Sequence, residues 1–334
     1  MKRFIKRGWL VLLIGVVVAV LLVWNIVRYR QLSGRVVVAC AQDAEYAESL
    51  FTNVGQNAKL QIVPKYDTEA NKSVSLVAEL MEESQHPRTD LHWNNEPLGT
   101  IRLARAGVYD ADSWKPFAER ARVLIVNTTL VNEADRPTSI FDLVAPKWKG
   151  RVAMAKPNFG TTASHMACLW ELLGQQDASD FIRSLKTNEV SFVAGNKQVA
   201  RDVSAGKYAF GLTDSDDAAL EVLEGKPVAV IFPDAVENPK YPRMGCLFLP
   251  NTLAVIRNNP NPGGARTVKA AILESEAILA AGGGYQFPTQ PNVPGPTLPC
   301  LQPWKTTRRM KADFEKAVEG WEMLQHFLRN EFAR

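Results

Sequence analysis

A chain of 334 residues, 46% of them hydrophobic, is long enough to form about two domains with buried cores. Its charge is uneven, since the first 35 residues carry seven basic and no acidic side chains and the rest carry 32 basic against 35 acidic. The formal net charge of +4 therefore belongs to the N-terminus. The remaining chain lacks the basic excess that a nucleic-acid-binding surface needs.

The N-terminal segment contains an uncharged apolar run over residues 9–27, WLVLLIGVVVAVLLVWNIV. This length is close to the ~20 residues that a membrane-spanning helix requires. The denser basic flank before the run places the N-terminus in the cytoplasm and everything after Arg28 outside. We expect residues 1–34 to be an uncleaved membrane anchor. A cleaved signal peptide is the alternative, although the run is long for one and no small-residue cleavage site follows it directly.

After residue 34, strand and helix patterns alternate along the chain. Predicted strands cover residues 36–41, 60–63 and 90–93, and predicted helices follow them at 43–55, 69–83 and 98–106. This order is typical of a mostly parallel sheet covered by helices.

The pattern restarts with the strand ARVLIVN at 121–127. Further strands are predicted at 151–155, 190–193, 208–212, 228–232, 246–249 and 252–256, and helices at 162–173, 177–187, 197–204, 263–281 and 310–332. The Pro- and Gly-rich stretch 282–303 is expected to be an irregular surface segment. The chain thus predicts two α/β lobes, with 125–245 as lobe 2 inserted between the two parts of lobe 1, 35–124 and 246–334.

Polar clusters recur directly after the predicted strands. They lie at 42–43, 67–69, 94–96, 158–162, 195–196 and 213–217. One such cluster is ordinary turn or cap chemistry. Six of them predict a ligand-binding cleft between the lobes, because ligands bind beyond the carboxyl ends of strands in such sheets.

Four cysteines, Cys40, Cys168, Cys246 and Cys300, allow up to two disulfides in an exported protein. Their spacing matches no metal motif. Since three of them fall in buried-type strand or helix patterns, we expect unpaired buried thiols.

Several of these segments together resemble the iron(III)-type periplasmic binding proteins of ABC importers, members of the class II binding-protein superfamily. They are AQDAEYAESLF, YDTEANKSVSLVAEL, DLHWNNEPLGTIRL, RARVLIVNTTLV, FDLVAPKWKGRVAMAKPNFGTTASH, VAGNKQVARDVSAGKYAFGLTDSDDA and LPNTLAVIRNNPNP. The likeness runs from about residue 35 to 281. It implies two lobes around a central cleft, joined by crossing segments near 124–127 and 245–249. It also implies an extracytoplasmic monomer that closes by a hinge and delivers its ligand to a permease and an ATPase.

The loop and helix start PNFGTTASH contain a candidate anion site at Gly160, Thr161 and Thr162. Backbone N–H groups and the helix dipole favour an anion there, and the Thr hydroxyls add donors. A plain Thr N-cap is the alternative. The resemblance implies a phosphate or carbonate that helps to bind the metal. His165 lies one turn further on, facing either the cleft or the lobe interior.

The segment LTDSDDA places the carboxylates of Asp214, Asp216 and Asp217 together after a strand. The known iron binders carry two adjacent tyrosines in this segment, and none stands here. Carboxylates suit Fe(III) and other hard cations, and equally the ammonium group of an organic ligand such as an aminophosphonate. Helix capping by the same acids is the structural alternative.

The remaining family ligand positions fall on Asp43 after the first strand and on Asn95 after the third. Glu96 supplies the carboxylate if that loop is shifted by one, which makes it a fourth candidate metal ligand beside the three Asp residues. Trp93 is expected either to wall the pocket or to pack in the core. Asn196 is expected to cap the helix that follows it, with or without touching ligand.

The best interpretation is an importer receptor for ferric iron or another metal with an anion. A receptor for an amino-bearing anionic organic ligand is the alternative. A metal-dependent hydrolase on the same fold is a weaker one, because the sequence contains no HExxH, nucleophile elbow or Walker loop.

Overall fold

The computed structural model describes residues 16–18, 34–67, 74–110, 114–281 and 284–332. Within these ranges no helix is long and apolar enough to cross a membrane. The predicted anchor, residues 9–27, lies outside the described residues except for 16–18, which are helical. Residues 68 and 69 of the predicted polar cluster at 67–69 also lie outside them.

In the described part of the chain, nine strands form one sheet. They are β1 (Arg35–Cys40), β2 (Gln61–Tyr66), β3 (Leu91–Asn94), β4 (Lys115–Asn127), β5 (Val152–Ala155), β6 (Ser191–Val193), β7 (Phe210–Asp214), β8 (Val228–Ile231) and β9 (Phe248–Val255). Their spatial order is β2-β1-β3-β9-β4-β7-β5-β6, with β8 also beside β4.

The helices cover the two faces of this sheet. They are α1 (Ala44–Ala58), α2 (Val74–Glu82), α3 (Pro97–Arg105), α4 (Gly160–Leu173), α5 (Gln175–Thr187), α6 (Asn196–Ser204), α7 (Ser215–Leu223), α8 (Pro262–Glu274), α9 (Glu276–Ala281), α10 (Phe314–Glu319) and α11 (Trp321–Phe332). In α1, the apolar side chains Ala47, Leu50, Phe51 and Val54 recur at helical spacing and all four are buried, which explains why the sequence predicts this helix well.

The sheet is mixed, whereas the sequence predicts a mostly parallel one. Strand β1 runs parallel to β2 and β3, and β5 runs parallel to β6 and β7. Strand β9 is antiparallel to β3 and β4, and β4 is antiparallel to β7 and β8. The long connecting strands β4 and β9 therefore account for the difference.

Strand β4 belongs to both halves of the sheet. Its first part pairs with β9 up to Ala121, and its second part pairs with β7 from Arg122 onward. The Arg122 N–H donates to the Leu247 carbonyl oxygen at 2.8 Å, so the chain crosses between the halves here. The predicted second crossing segment, 245–249, includes Leu247. The predicted first one, 124–127, lies beyond the crossing, since these residues already pair with β8.

The C-terminal segment forms two helices, α10 and α11, instead of the single predicted helix over 310–332. Between them stands Gly320, where a Cβ would lie 3.1 Å from the Trp170 ring. Helix α11 contacts α3 through Arg102, whose guanidinium lies 5.1 Å from the Trp321 ring centroid. It also contacts α4, because the rings of Trp170 and Phe327 are 5.4 Å apart. The C-terminal helices thus touch both halves of the molecule, and the lobe boundaries stay a prediction.

Burial governs the chemistry of the cysteine thiols. Cys168 and Cys246 are fully buried, and this burial raises the pKa of both thiols. Cys300 is half-buried, and its pKa is raised for the same reason. Among the described residues these three form no disulfide.

Candidate functional site

A polar cleft lies between the two halves of the sheet, at the carboxyl ends of its parallel strands. The residues that line it are Asp43, Asn95, Arg120, Ala155, Lys156, Phe159, Gly160, Thr161, Ala194, Gly195, Asn196, Asp214, Asp216 and Asp217. They come from the chain after β1, β3, β5 and β6, from β4, and from the end of β7 and the start of α7. The cavity between them has a volume of about 30 Å³, enough for an ion or one to two water-sized groups.

Eight of the eleven predicted ligand-binding residues line this cleft. They are Asp43, Asn95, Gly160, Thr161, Asn196, Asp214, Asp216 and Asp217. Trp93, Glu96 and Thr162 do not line it, and each of the three is buried.

Trp93 packs in the core of the first half of the sheet. Its side chain has no exposed surface, and its ring lies 5.6 Å from that of Phe51 and 5.3 Å from that of Phe117. Its indole N–H donates to Asn251 Oδ1 at 3.3 Å. The structure thus places Trp93 in the core, the second of the two expectations, and its side chain does not line the cleft.

Glu96 is the N-cap of α3. Its carboxylate accepts the backbone N–H groups of Leu98 at 2.7 Å and Gly99 at 2.9 Å. The Ser164 hydroxyl on α4 donates to the same carboxylate at 2.7 Å. Both oxygens of Glu96 are engaged away from the cleft, which conflicts with its predicted role as a metal ligand.

Three donors from three different elements hold the Asp214 carboxylate. They are Arg122, Thr161 and Asn196, and we call these three residues the Asp214 cradle. Arg122 Nη1 donates to Oδ1 at 2.6 Å. The Thr161 hydroxyl donates to Oδ2 at 2.8 Å, and the Asn196 amide donates to Oδ2 at 3.0 Å. Asp214 precedes α7 but its side chain makes no cap hydrogen bond there, because these donors direct it elsewhere.

Three helices begin at the Asp214 cradle. Thr161 lies in the first turn of α4, Asn196 begins α6, and Asp214 directly precedes α7. Helix N-termini carry partial positive charge, so their convergence favours an anion at this point. Gly160 opens α4 at a φ of 54°, a left-handed backbone conformation that glycine adopts without strain.

Arg122 has no exposed surface and is the buried cation of the cradle. Besides Asp214, its guanidinium donates to Thr161 Oγ1 and Thr162 Oγ1 at 3.1 Å and to Asn196 Oδ1 at 3.0 Å. Thr162 therefore stabilises the arginine from behind the cleft and is not itself exposed to ligand. The buried charge of Arg122 is balanced by that of Asp214.

A second buried ion pair lies beside the first. Arg120 Nε is 3.3 Å from Asp216 Oδ2, and Arg120 Nη2 donates to Gln42 Oε1 at 2.6 Å. Gln286 donates to Asp216 Oδ2 at 3.2 Å. Burial raises the pKa of Asp216 although Arg120 opposes it. For Arg120, burial lowers the pKa, but the surrounding carboxylates, Asp216 first, outweigh it and the net shift is upward.

The two arginines are functional residues that sequence reasoning missed. Arg120 and Arg122 stand two apart in β4, so both point to the same face of the strand. The signal for them is two charges at strand spacing at the start of the otherwise apolar run RARVLIVN, residues 120–127. Lys156, directly after β5, is a second cation that lines the cleft and that the sequence analysis does not predict.

The three aspartates of LTDSDDA do meet in space. One carboxylate oxygen from each of Asp214, Asp216 and Asp217 lies within 4.8 Å of the others. Such an oxygen cluster suits a hard cation. Among the described residues that line the cleft, none is a tyrosine or histidine.

His165 faces the interior of the second half and does not line the cleft. It is 1% exposed, and burial lowers its pKa well below the ordinary value, with a smaller contribution from Arg122. Of the two orientations that the sequence left open, the structure has the inward one.

A scan against protein families matches residues 94–304 to the bacterial extracellular solute-binding proteins. This is more than half of the chain. The chain belongs to this family.

A curated relative is the Fe(3+)-binding periplasmic protein of Serratia marcescens, 32% identical over 99 residues, or 30% of this chain and 29% of that protein. The matched segments span only about 27% to 51% of the lengths of such curated relatives.

Solved structures match nearly the whole described chain. Apo ferric ion-binding protein A of Pasteurella haemolytica matches at a TM-score of 0.76 and 14% identity, covering 89% of this chain and 98% of that one. The periplasmic binding protein AfuA of Actinobacillus pleuropneumoniae, with fructose-6-phosphate bound, matches at a TM-score of 0.76 and 18% identity, covering 90% and 99%. The α/β periplasmic-binding-protein fold and the resemblance to the iron(III)-type binding proteins are thus confirmed.

Proposed function

We propose that the protein is the extracytoplasmic solute-binding component of an ABC importer and that its cleft binds ferric iron or another hard cation. The family and the position of the cleft between two halves of a sheet support the receptor role. A permease and an ATPase would be its partners, with residues 1–34 as a tether and the folded part a monomer outside the cytoplasmic membrane. Binding and release need no covalent chemistry, so the protein would not act as an enzyme.

The observation that supports cation binding is that three aspartate carboxylates lie close together at the cleft. Asp216 and Asp217 are among the residues that line it. Carboxylate oxygens are hard ligands, as Fe(III), Mn(II) and Ca(II) require. Four carboxylates line the cleft, including Asp43, against the cations Arg120 and Lys156 in the lining and Arg122 behind Asp214. The lining is therefore negative overall and attracts a positive ligand.

A second candidate is an amino-bearing anionic organic ligand such as an aminophosphonate. Arg120 and Lys156 line the same cleft as the carboxylates. An anionic group could contact these cations while an ammonium group contacts Asp217. The likeness to AfuA, whose structure contains a sugar phosphate, agrees with this candidate at the level of the fold.

A thermal-shift series on chelator-treated protein tests the proposal. A ligand that binds only the folded state raises the melting midpoint. We expect Fe(III) or Mn(II) to raise it in the wild type but not in the double variant Asp216→Asn, Asp217→Asn. Asp180→Asn, at an exposed position on α5, is the matched control and should respond like the wild type.

The outcome separates the candidates. A rise with an aminophosphonate and with no metal would replace the cation by the organic ligand. Failure of both classes would contradict the carboxylate site, and turnover of a phosphate ester would support the hydrolase instead.

A further inference from the structure

The Asp214 cradle is built to hold an oxyanion, and a carboxylate of the protein already lies in it. We propose that Asp214 is a built-in anion that takes the place of exogenous phosphate or carbonate, so that the cleft binds its cation without a second ligand. This inference rests on the proposed cation-binding function. It assigns Asp214 as a residue that determines specificity rather than as one more cation ligand.

The donor set is the first argument. An oxyanion at the start of α4 would take the Thr161 hydroxyl and the Asn196 amide as its side-chain donors, beside the backbone N–H groups. Both donate to Asp214 Oδ2, at 2.8 and 3.0 Å. Arg122, the cation beneath them, donates to Asp214 Oδ1 at 2.6 Å. The same three groups cannot bind phosphate while they hold this carboxylate.

The electrostatics are the second argument. Asp214 is 3% exposed and Arg122 is fully buried, so their charges are balanced inside the protein and not by solvent. The partial positive charge of three helix N-termini is met by the same carboxylate. An added phosphate would lie against a buried like charge and close to Asp216 and Asp217, which is unfavourable.

The same arrangement explains what the cleft offers to a cation. Because Asp214 is neutralised by the cradle, the carboxylates left to face the cleft are those of Asp43, Asp216 and Asp217. Asp216 is itself paired with Arg120 at 3.3 Å. The built-in anion therefore occupies the donors behind the site that an exogenous anion would otherwise take.

Phosphate titration of chelator-treated wild-type protein is the direct test. We expect inorganic phosphate at ~10 mM to move the wild-type melting midpoint by less than ~0.5 °C, since no binding means no stabilisation. We also expect the apparent affinity for Mn(II), added as the chloride, to change less than about twofold when phosphate is present.

A variant that empties the cradle provides the contrast. In this contrast variant the substitution is best made to alanine, Asp214→Ala, which removes the carboxylate and leaves its space empty, so that Arg122, Thr161 and the helix N-termini become available to an oxyanion. We expect phosphate at ~10 mM to raise the midpoint of this variant by ~2 °C or more, following mass action. Asp217→Ala is the matched control, because it also removes a cleft carboxylate but leaves both the cradle and the Arg120–Asp216 pair intact. Its midpoint should not respond to phosphate.

A wild type that is stabilised by phosphate, or that binds Mn(II) only in its presence, would overturn the role of Asp214. An Asp214→Ala variant that folds but ignores phosphate would do the same. If that variant does not fold, the wild-type phosphate titration decides. If no cation binds the wild type at all, the proposed function fails, and the phosphate response still reports separately on the cradle.

Discussion

Replacing Arg122 by methionine should be among the most destabilising single changes in the protein. The guanidinium has no exposed surface, and its loss removes donors to Asp214, Thr162 and Asn196. The Asp214 carboxylate would stay buried without its cation. Breaking a buried ion pair by removing one partner costs about 3–5 kcal/mol, and we expect Arg122→Met to lose free energy of unfolding in this range.

A second prediction concerns the buried ion pair of Arg122 and Asp214. Replacing both partners of a buried ion pair by apolar residues is often close to neutral, because no uncompensated charge remains. The double variant Arg122→Met, Asp214→Leu should therefore recover most of the ~3–5 kcal/mol that Arg122→Met alone loses.

Urea unfolding at pH 7, followed by the fluorescence of the eight tryptophans, measures these differences. Arg183→Met is the control. Arg183 is about half exposed and paired with Glu331 at 3.0 Å, so its loss should cost less than ~1 kcal/mol. The reasoning is refuted if Arg122→Met costs no more than this control, or if the double variant is the least stable of the set.

Three further predictions concern buried groups away from the cleft. Burial lowers the pKa of His92 to about 3, and it also lowers the pKa of His165. The stability that each neutral ring contributes is therefore present above the ordinary pKa of 6.5 and is lost as the pH falls below it. In urea titrations, His92→Gln should reduce the fall in unfolding free energy between pH 6 and 5 by ~1.4 kcal/mol per pH unit. Burial raises the pKa of Asp234 from 3.8 to about 6, so the stability contributed by its protonated form is lost as the pH rises through this window. Asp234→Asn should remove this loss of unfolding free energy. An unchanged dependence of stability on pH would contradict the raised pKa. Trp93→Phe should reduce the free energy of unfolding by ~1–3 kcal/mol, because the ring packs in the core. It should leave the Mn(II) affinity within about twofold of wild type. A larger loss of affinity in calorimetry would indicate that Trp93 takes part in ligand binding.

The fold could be predicted from the sequence largely because its elements are locally encoded. Helical spacing in α1 and the alternation of strands and helices need no tertiary information. The mixed sheet could not be predicted in this way. Strand β4 looks like one apolar run, and nothing local shows that its first part pairs with β9 and its second with β7.

The cleft was predictable for a different reason. In a parallel sheet the carboxyl ends of the strands share an edge, so polar clusters after strands must come close together. The pairing of charges within the cleft was not predictable. Arg122 and Asp214 are 92 positions apart, and the sequence alone shows three acids that suggest an unbalanced negative site. Glu96 likewise looks like a free ligand until the start of α3 supplies its cap partners.

A crystal structure of the protein loaded with Fe(III), with anomalous data collected at the iron edge, tests the central claim most directly. The account predicts one anomalous peak in the cleft, about 2.0–2.6 Å from carboxylate oxygens of Asp216 or Asp217. It also predicts that Asp214 remains bonded to Thr161 and Asn196, with no oxyanion in the cradle. An iron peak away from these carboxylates, or a phosphate or carbonate in the place of Asp214, would contradict it.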